Sequence, residues 1–185
     1  MYIRPATPDD APELVRLINE LAAYERLAHE SRPDEARLRA QLAADARPRV
    51  EALVAVVDER TVGFALFFHS YSTFLTNFGM YLEDLYVEES SRGRGIGYAL
   101  LTALVRLAAE RGCQRLEWSV LDWNEPAIAF YRQLGAEPLD DWLKMRLDAE
   151  AIGRLSAGAA SGEDGYDGPG TIDGFTGSRT RGGGL

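Results

Sequence analysis

Two adjacent acids, Glu83 and Asp84, lie inside an apolar strand, Leu82-Glu83-Asp84-Leu85-Tyr86-Val87, that runs towards a basic glycine loop. The loop, Arg92-Gly93-Arg94-Gly95-Ile96-Gly97, opens a helix at Tyr98-Ala99-Leu100-Leu101. Glycines allow the backbone to approach a ligand, and the N–H groups that follow them lie at the positive end of a helix. That arrangement is an anion cradle suited to a pyrophosphate, and Arg92 and Arg94 beside such a nest suit phosphate as well. The acids are flanked by Leu82 and Leu85, a poor setting for solvated edge charges. In a desolvated cleft, such carboxylates can hold a cation and accept its proton. Neighbours on a regular strand point to opposite faces, so bringing both into one cleft calls for a bulge. A second strand-to-helix turn, Asp122-Trp123-Asn124-Glu125-Pro126-Ala127, leads to Tyr131, seven residues past Asn124. Tyr131 shares an apolar stripe with Ala127, Phe130 and Leu134, so both a core and a chemical role are open to it.

The familiar glycine loops do not fit. No Gly-Lys-Ser/Thr precedes the helix, which a Walker loop requires. A dinucleotide fingerprint counted from Gly93 needs Gly or Ala where Tyr98 stands, and the acid at the right distance, Glu117, falls inside a strand. His29 and His69 have no supporting ligands, and Cys113 reads as a small buried residue. Asp164, Asp167 and Asp173 among glycines match neither a calcium nonapeptide repeat nor an EF-hand loop, so no metal is expected.

The elements that must position these residues follow from periodicity and punctuation. Tyr2–Pro5 reads as a strand, and Thr7-Pro8-Asp9-Asp10 caps a helix with Leu14, Leu17, Ile18 and Leu21 on one face, ending near Glu25. Ser31-Arg32-Pro33-Asp34 caps a shorter helix carrying Leu38 and Leu42. Strands at 52–57 and 62–68 form a hairpin about Asp58-Glu59-Arg60, and the acid-bearing strand and glycine loop come next. A helix to about Arg111 ends at Gly112. A strand at 115–121, a helix at 124–134 and a closing strand at 142–146 complete the order. This β-α-α-β-β-β-α-β-α-β order predicts an α/β (α+β) fold, a mixed and mostly antiparallel sheet with helices on both faces.

At 185 residues, with 46% apolar and 26% charged residues, the chain is long enough for a substantial core. Residues 1–156 read as one domain. Residues 157–185 hold ten of the eighteen glycines and almost no large apolar groups, which predicts a disordered tail. The single cysteine excludes an intramolecular disulfide and suits a reducing compartment; Arg4, Asp9 and Asp10 interrupt any signal peptide, so a cytoplasmic location is expected. No apolar run approaches a membrane span, and a net charge of −9 disfavours nucleic acid while suiting a cationic small molecule.

With these motifs in view the chain resembles the GNAT acetyltransferases, whose acyl-CoA loop Arg/Gln-x-x-Gly-x-Gly/Ala corresponds to Arg92–Gly97. Within that superfamily it is similar to the diamine (spermidine/spermine) acetyltransferases and their thialysine- and ornithine-acetylating relatives. The segments that carry the likeness are Ile3–Thr7, Leu17–Glu25, Tyr81–Val87, Arg92–Gly97 and Asp122–Tyr131, within residues 2–147. The resemblance implies a GNAT fold and an acetyl-CoA-dependent N-acetyltransferase acting on a primary amine of a small cationic substrate: a diamine, a polyamine, or a basic amino acid such as thialysine, ornithine or lysine. It implies acetyl-CoA contacts from Leu85, Tyr86 and Val87, from Arg92, Gly93, Arg94, Gly95, Ile96, Gly97 and Tyr98, and from Asn124, Glu125, Pro126 and Ala127. Glu83 is implied as the base acting on the amine through water, and Tyr131 as the acid that protonates the departing thiolate; Asp84 or water are alternatives to Glu83. Tyr24 and Glu25 match the amine-binding pair, joined by Glu83 and Asp84, while Glu117, Trp118 and Ser119 align with a substrate-lining segment of different residue types. Tyr71-Ser72-Thr73-Phe74 lacks the acid and tryptophan of the polyamine enzymes, which favours a shorter amine than spermine. A homodimer is also implied. Two other readings remain, a protein N-terminal or lysine acetyltransferase and a non-catalytic acyl-CoA sensor.

Overall fold

The structure, a computed structural model, describes residues 1–47 and 49–161. Five strands, β1 (Tyr2–Pro5), β2 (Glu51–Val57), β3 (Arg60–Ser72), β4 (Asn77–Val87) and β5 (Leu116–Trp118), form one sheet in sequence order. Every neighbouring pair is antiparallel except β4 and β5, which run parallel. The helices are α1 (Ala11–Tyr24), α2 (Glu35–Leu42), α3 (Ile96–Glu110), α4 (Glu125–Gln133) and α5 (Ala149–Ser161). Met1–Leu134 is one compact unit, and the described residues from Gly135 onward belong to a second.

Residues 52–57 of β2 and 62–68 of β3 are apolar without interruption because both faces of these strands are covered. Leu53, Ala55 and Val57 of β2 join Phe67, Met80 and Leu82 beneath Leu100, Leu101 and Leu104 of α3. The alternate residues Ala52, Val54 and Val56 join Phe64 and Tyr86 against Leu14, Leu17 and Leu21 of α1 and Leu38 and Leu42 of α2. The period of two thus sorts one strand into two cores, with α1 and α2 on one and α3 on the other. The β2–β3 turn is the two-residue Asp58-Glu59, both at positive φ (48° and 60°), which matches the right-handed twist of the strands it joins. Gly63 is required opposite the end of β4, since a Cβ there would lie 2.7 Å from the Tyr86 carbonyl oxygen.

A charged clasp fixes the end of β4. Glu88 is buried, its carboxylate accepts from Arg16 of α1 and Arg60 of the hairpin, and its N–H donates to Val62 O at 2.9 Å. Arg16 also donates to Thr61 O and to Glu13 and Glu20. The strand end that precedes the glycine loop is therefore held to both the first helix and the hairpin.

Two strand expectations from the sequence change. The strand expected at 115–121 forms only over Leu116–Trp118, because its ladder with β4 ends at the Leu82–Trp118 pair. Beyond that point β4 departs from regular pairing and residues 119–121 have no strand to join. Residues 142–146 form no strand; no ladder among the described residues includes them, and Leu143 and Met145 are each 86% exposed. A strand exists only through pairing its amides with a neighbour, so apolar alternation alone does not create one. Helix α5, which the sequence reading did not include, runs over Ala149–Ser161. The rest of the glycine-rich segment, with Asp164, Asp167 and Asp173, lies outside the described residues.

Candidate active site

The acids reach one cleft because β4 is bulged. Leu66 pairs with Asp84 while the next residue, Phe67, pairs with Leu82, so Glu83 is the extra residue on β4. The bulge cancels the alternation that would send the two carboxylates to opposite faces, and both line the same cleft of about 500 Å³. The β4–β5 ladder ends at Leu82–Trp118, immediately before the bulge, so the strands part at the acids.

One wall of the cleft is the glycine loop. Gly93 and Gly95 have φ of 73° and 76°, a conformation that L side chains rarely adopt, and no atom lies within 4 Å of where a Cβ would stand on either. Gly95 is also the residue before α3, so the loop turns directly into the first-turn amides, which have no intrahelical partner. Open space, left-handed glycines and a helix N-terminus together suit a pyrophosphate, so the residues present fit the acyl-CoA cradle expected of them. Asn124 does structural work: its Oδ1 accepts from Ala127 N at 3.4 Å and caps α4.

The other wall carries charge. Glu25, at the end of α1, lines the cleft with Glu83 and Asp84, and none of the three forms an ion pair among the described residues. Burial, then the carboxylates of Glu83 and Glu25, pushes Asp84 up to about 6. Burial alone raises Glu25. Tyr131 also lines the cleft, packed against Trp118 at 4.9 Å and Phe130 at 5.3 Å between ring centroids. Its phenol is pushed up to about 12 by burial, then by the charges of Asp84 and Glu25. A cleft with three unpaired acids attracts a cation, and a cation placed there would draw Asp84 and Tyr131 back down.

The structure brings most of the expected residues together. Tyr24, Glu25, Glu83, Asp84, Leu85, Tyr86, Val87, Arg92, Gly93, Gly95, Ile96, Gly97, Tyr98, Asn124, Pro126, Ala127 and Tyr131 all line the cleft. Arg94 and Glu125 do not line it and are exposed. Of the Glu117-Trp118-Ser119 segment only Ser119 lines it; Glu117 pairs with Arg115 at 3.0 Å and Trp118 packs on Tyr131. Leu21, Ser91, Val120, Leu121 and Phe130 are lining residues that sequence reasoning did not assign. Leu21 and Phe130 lie on the same helical stripes as Tyr24 and Tyr131, a signal that was present but reads equally as core. Val120 and Leu121 were hidden by their apparent membership of a strand.

The acetyltransferase (GNAT) family profile matches residues 14–136. The mouse (Mus musculus) thialysine N-epsilon-acetyltransferase is 35% identical over 165 residues, covering 83% of this chain and 96% of that protein. An Arabidopsis thaliana L-ornithine N5-acetyltransferase is 32% identical, covering 81% of this chain and 85% of that protein. Among solved structures, an integron cassette protein from the mobile metagenome of V. cholerae superposes with a TM-score of 0.70 at 26% identity, covering 84% of this chain and 96% of that one.

Proposed function

The chain belongs to the GNAT acetyltransferase family, and we propose that it transfers the acetyl group of acetyl-CoA to a primary amine of a small molecule bearing more than one cationic or polar group. The observation that carries this reading is the cleft itself, in which an open glycine-loop cradle faces three acids that form no ion pair among the described residues. The substrates in the names of the mouse and Arabidopsis relatives, thialysine and ornithine, are both short basic amino acids, and that size and charge suit the cleft.

An alkyl ammonium has a pKa near 10.4, so only about one molecule in a thousand is nucleophilic at pH 7. Glu25, Glu83 and Asp84 attract the cation, and the Glu83–Asp84 pair takes its proton as the amine becomes a nucleophile. Asp84 is the member whose titration near 6 matches neutral operation. Glu83, on the bulge and exposed, is placed to pass the proton through water. Acetyl-CoA supplies an activated acetyl group with a thiolate as its leaving group. Tyr131 stays protonated through neutral pH, so its O–H can donate to that sulfur as it departs. First-turn amides of α3 and the αL glycines hold the pyrophosphate, and backbone groups of Leu85, Tyr86 and Val87 lie along the same wall.

Thiol release with putrescine, spermidine, lysine, ornithine and thialysine tests the reading. Turnover of at least one short amine is expected, and CoA binding without turnover of any would favour a sensor. The same reading includes a cytoplasmic location and a homodimer, and the exposed apolar run Leu139, Trp142, Leu143, Met145 and Leu147 supports the pairing. Sedimentation at micromolar concentration should show a species near twice 20.4 kDa; a 20.4 kDa species alone would reject it.

A further inference from the structure

Arg92 does not reach away from its loop. Its Nε donates to the carbonyl oxygen of Val87 at 3.0 Å, and its guanidinium carbon lies 4.6 Å from the centroid of the Tyr24 ring and 5.5 Å from that of Tyr86. Tyr24 is the last residue of α1, the helix whose end faces the acids. Its ring also meets Trp123 at 6.2 Å, and Trp123 immediately precedes the cap of α4. Arg26 covers Trp123 at 5.7 Å from a strained backbone, φ 63°, where α1 closes with Leu27 N donating to Ala22 O and Arg26 N to Ala23 O. A bulky residue in that conformation persists only where its surroundings over-determine it. The end of α1, the start of the phosphate loop and the start of α4 therefore meet through Tyr24.

Resting on the acyl-CoA reading of the loop, we propose that Tyr24 is a positioning residue for the cosubstrate, acting by holding the Arg92 guanidinium against the end of β4. Arg92 Nε donates to Val87, the guanidinium also interacts with the Tyr86 hydroxyl, and its plane stacks on an aromatic face, so the N–H donors these contacts leave over meet a phosphate oxygen in a fixed direction. An arginine already immobilised loses less freedom when a phosphate arrives. Because Tyr24 belongs to the amine wall, anything that moves its ring is felt at the phosphate loop. The coupling is reciprocal, so bound cosubstrate sets the amine wall by the same factor.

The test is calorimetric titration with CoA, which has no acetyl group to transfer and so reads binding apart from turnover. Tyr24→Phe keeps the stacking face and should bind CoA within about twofold of the parent protein, whereas Tyr24→Leu should bind about five- to tenfold more weakly. In an Arg92→Ala background the penalty of Tyr24→Leu should shrink below about twofold, because the contact has already gone. Arg92→Lys, which keeps the charge and loses the planar stack, should weaken CoA by a factor similar to Tyr24→Leu and gives a second reading if the leucine variant fails to fold. Parent-like affinity in Tyr24→Leu or in Arg92→Lys overturns the proposal. So does an undiminished leucine penalty in the Arg92→Ala background, which would mean Tyr24 meets CoA itself. A parent protein that binds no CoA would defeat both this inference and the acyl-CoA reading.

Discussion

Asp84 and Tyr131 line one cleft, and after burial the Asp84 carboxylate is the largest influence holding the Tyr131 phenol up at about 12. Both groups are raised, which suits them to different uses: an acid at about 6, ready to take a proton near neutrality, and a phenol that keeps its own.

Tyr131→Phe should lower kcat by about 10²-fold or more and leave the affinity for CoA within about twofold, since the hydroxyl acts only as the thiolate leaves. Single-turnover rates and calorimetry separate the two quantities. Unchanged kcat would remove Tyr131 from the chemistry and return it to the core.

The pH profile should divide the acids. The parent enzyme should lose kcat/KM as pH falls through about 6, where Asp84 gains its proton. Asp84→Asn should abolish that limb and slow the enzyme at every pH. Glu83→Gln removes one of the two like charges that raise Asp84, so its limb should move to lower pH. An Asp84→Asn profile that still bends near 6 would assign the titration to another group.

Stability should respond in the opposite direction from most carboxylates. Asp84 is raised from 3.8 to about 6 in the folded state, so between those values the native protein binds more protons than the unfolded chain. Its contribution is greatest below pH 3.8 and is lost as pH rises through about 6, a loss of order 2–3 kcal/mol. Asp84→Asn should therefore be more stable than the parent in urea at pH 7.5, with the gap narrowing at pH 5. An equal gap at both pH values would rule out this linkage.

Gly63→Ala should destabilise the protein and weaken CoA together. The new methyl would press on the Tyr86 carbonyl at 2.7 Å and on Val87 at 3.2 Å, and strand backbone has no rotamer with which to yield. A loss of about 1–3 kcal/mol is expected from such overpacking. Urea unfolding and CoA titration measure the two effects, and parent-like values in both would show that β3 and β4 can separate there freely.

Much of this protein was written in local sequence. The glycine loop was legible because a left-handed turn into a helix restricts residue choice so strongly that Gly93 and Gly95 announce it. Helices α1 to α4 were legible because Leu14, Leu17 and Leu21, or Leu100 and Leu104, recur at the helical period and end at recognisable caps, whereas α5 was not read. Short apolar runs on either side of a tight turn likewise placed β2 and β3. What only the tertiary structure decided depends on partners distant in the chain. The bulge at Glu83 exists through pairing with Leu66 and Phe67, and it puts both acids in one cleft. The ladder that stops at Trp118 converts 119–121 from strand to cleft wall, and among the described residues 142–146 belong to no sheet. The pKa of Asp84 comes from burial and from two other acids, one of them at the end of α1. Arg92 was read as a phosphate ligand from its place in the loop, and only the fold shows that it rests on Tyr24. Backbone preference is a property of neighbours in sequence, whereas register, burial and electrostatics are set by neighbours in space.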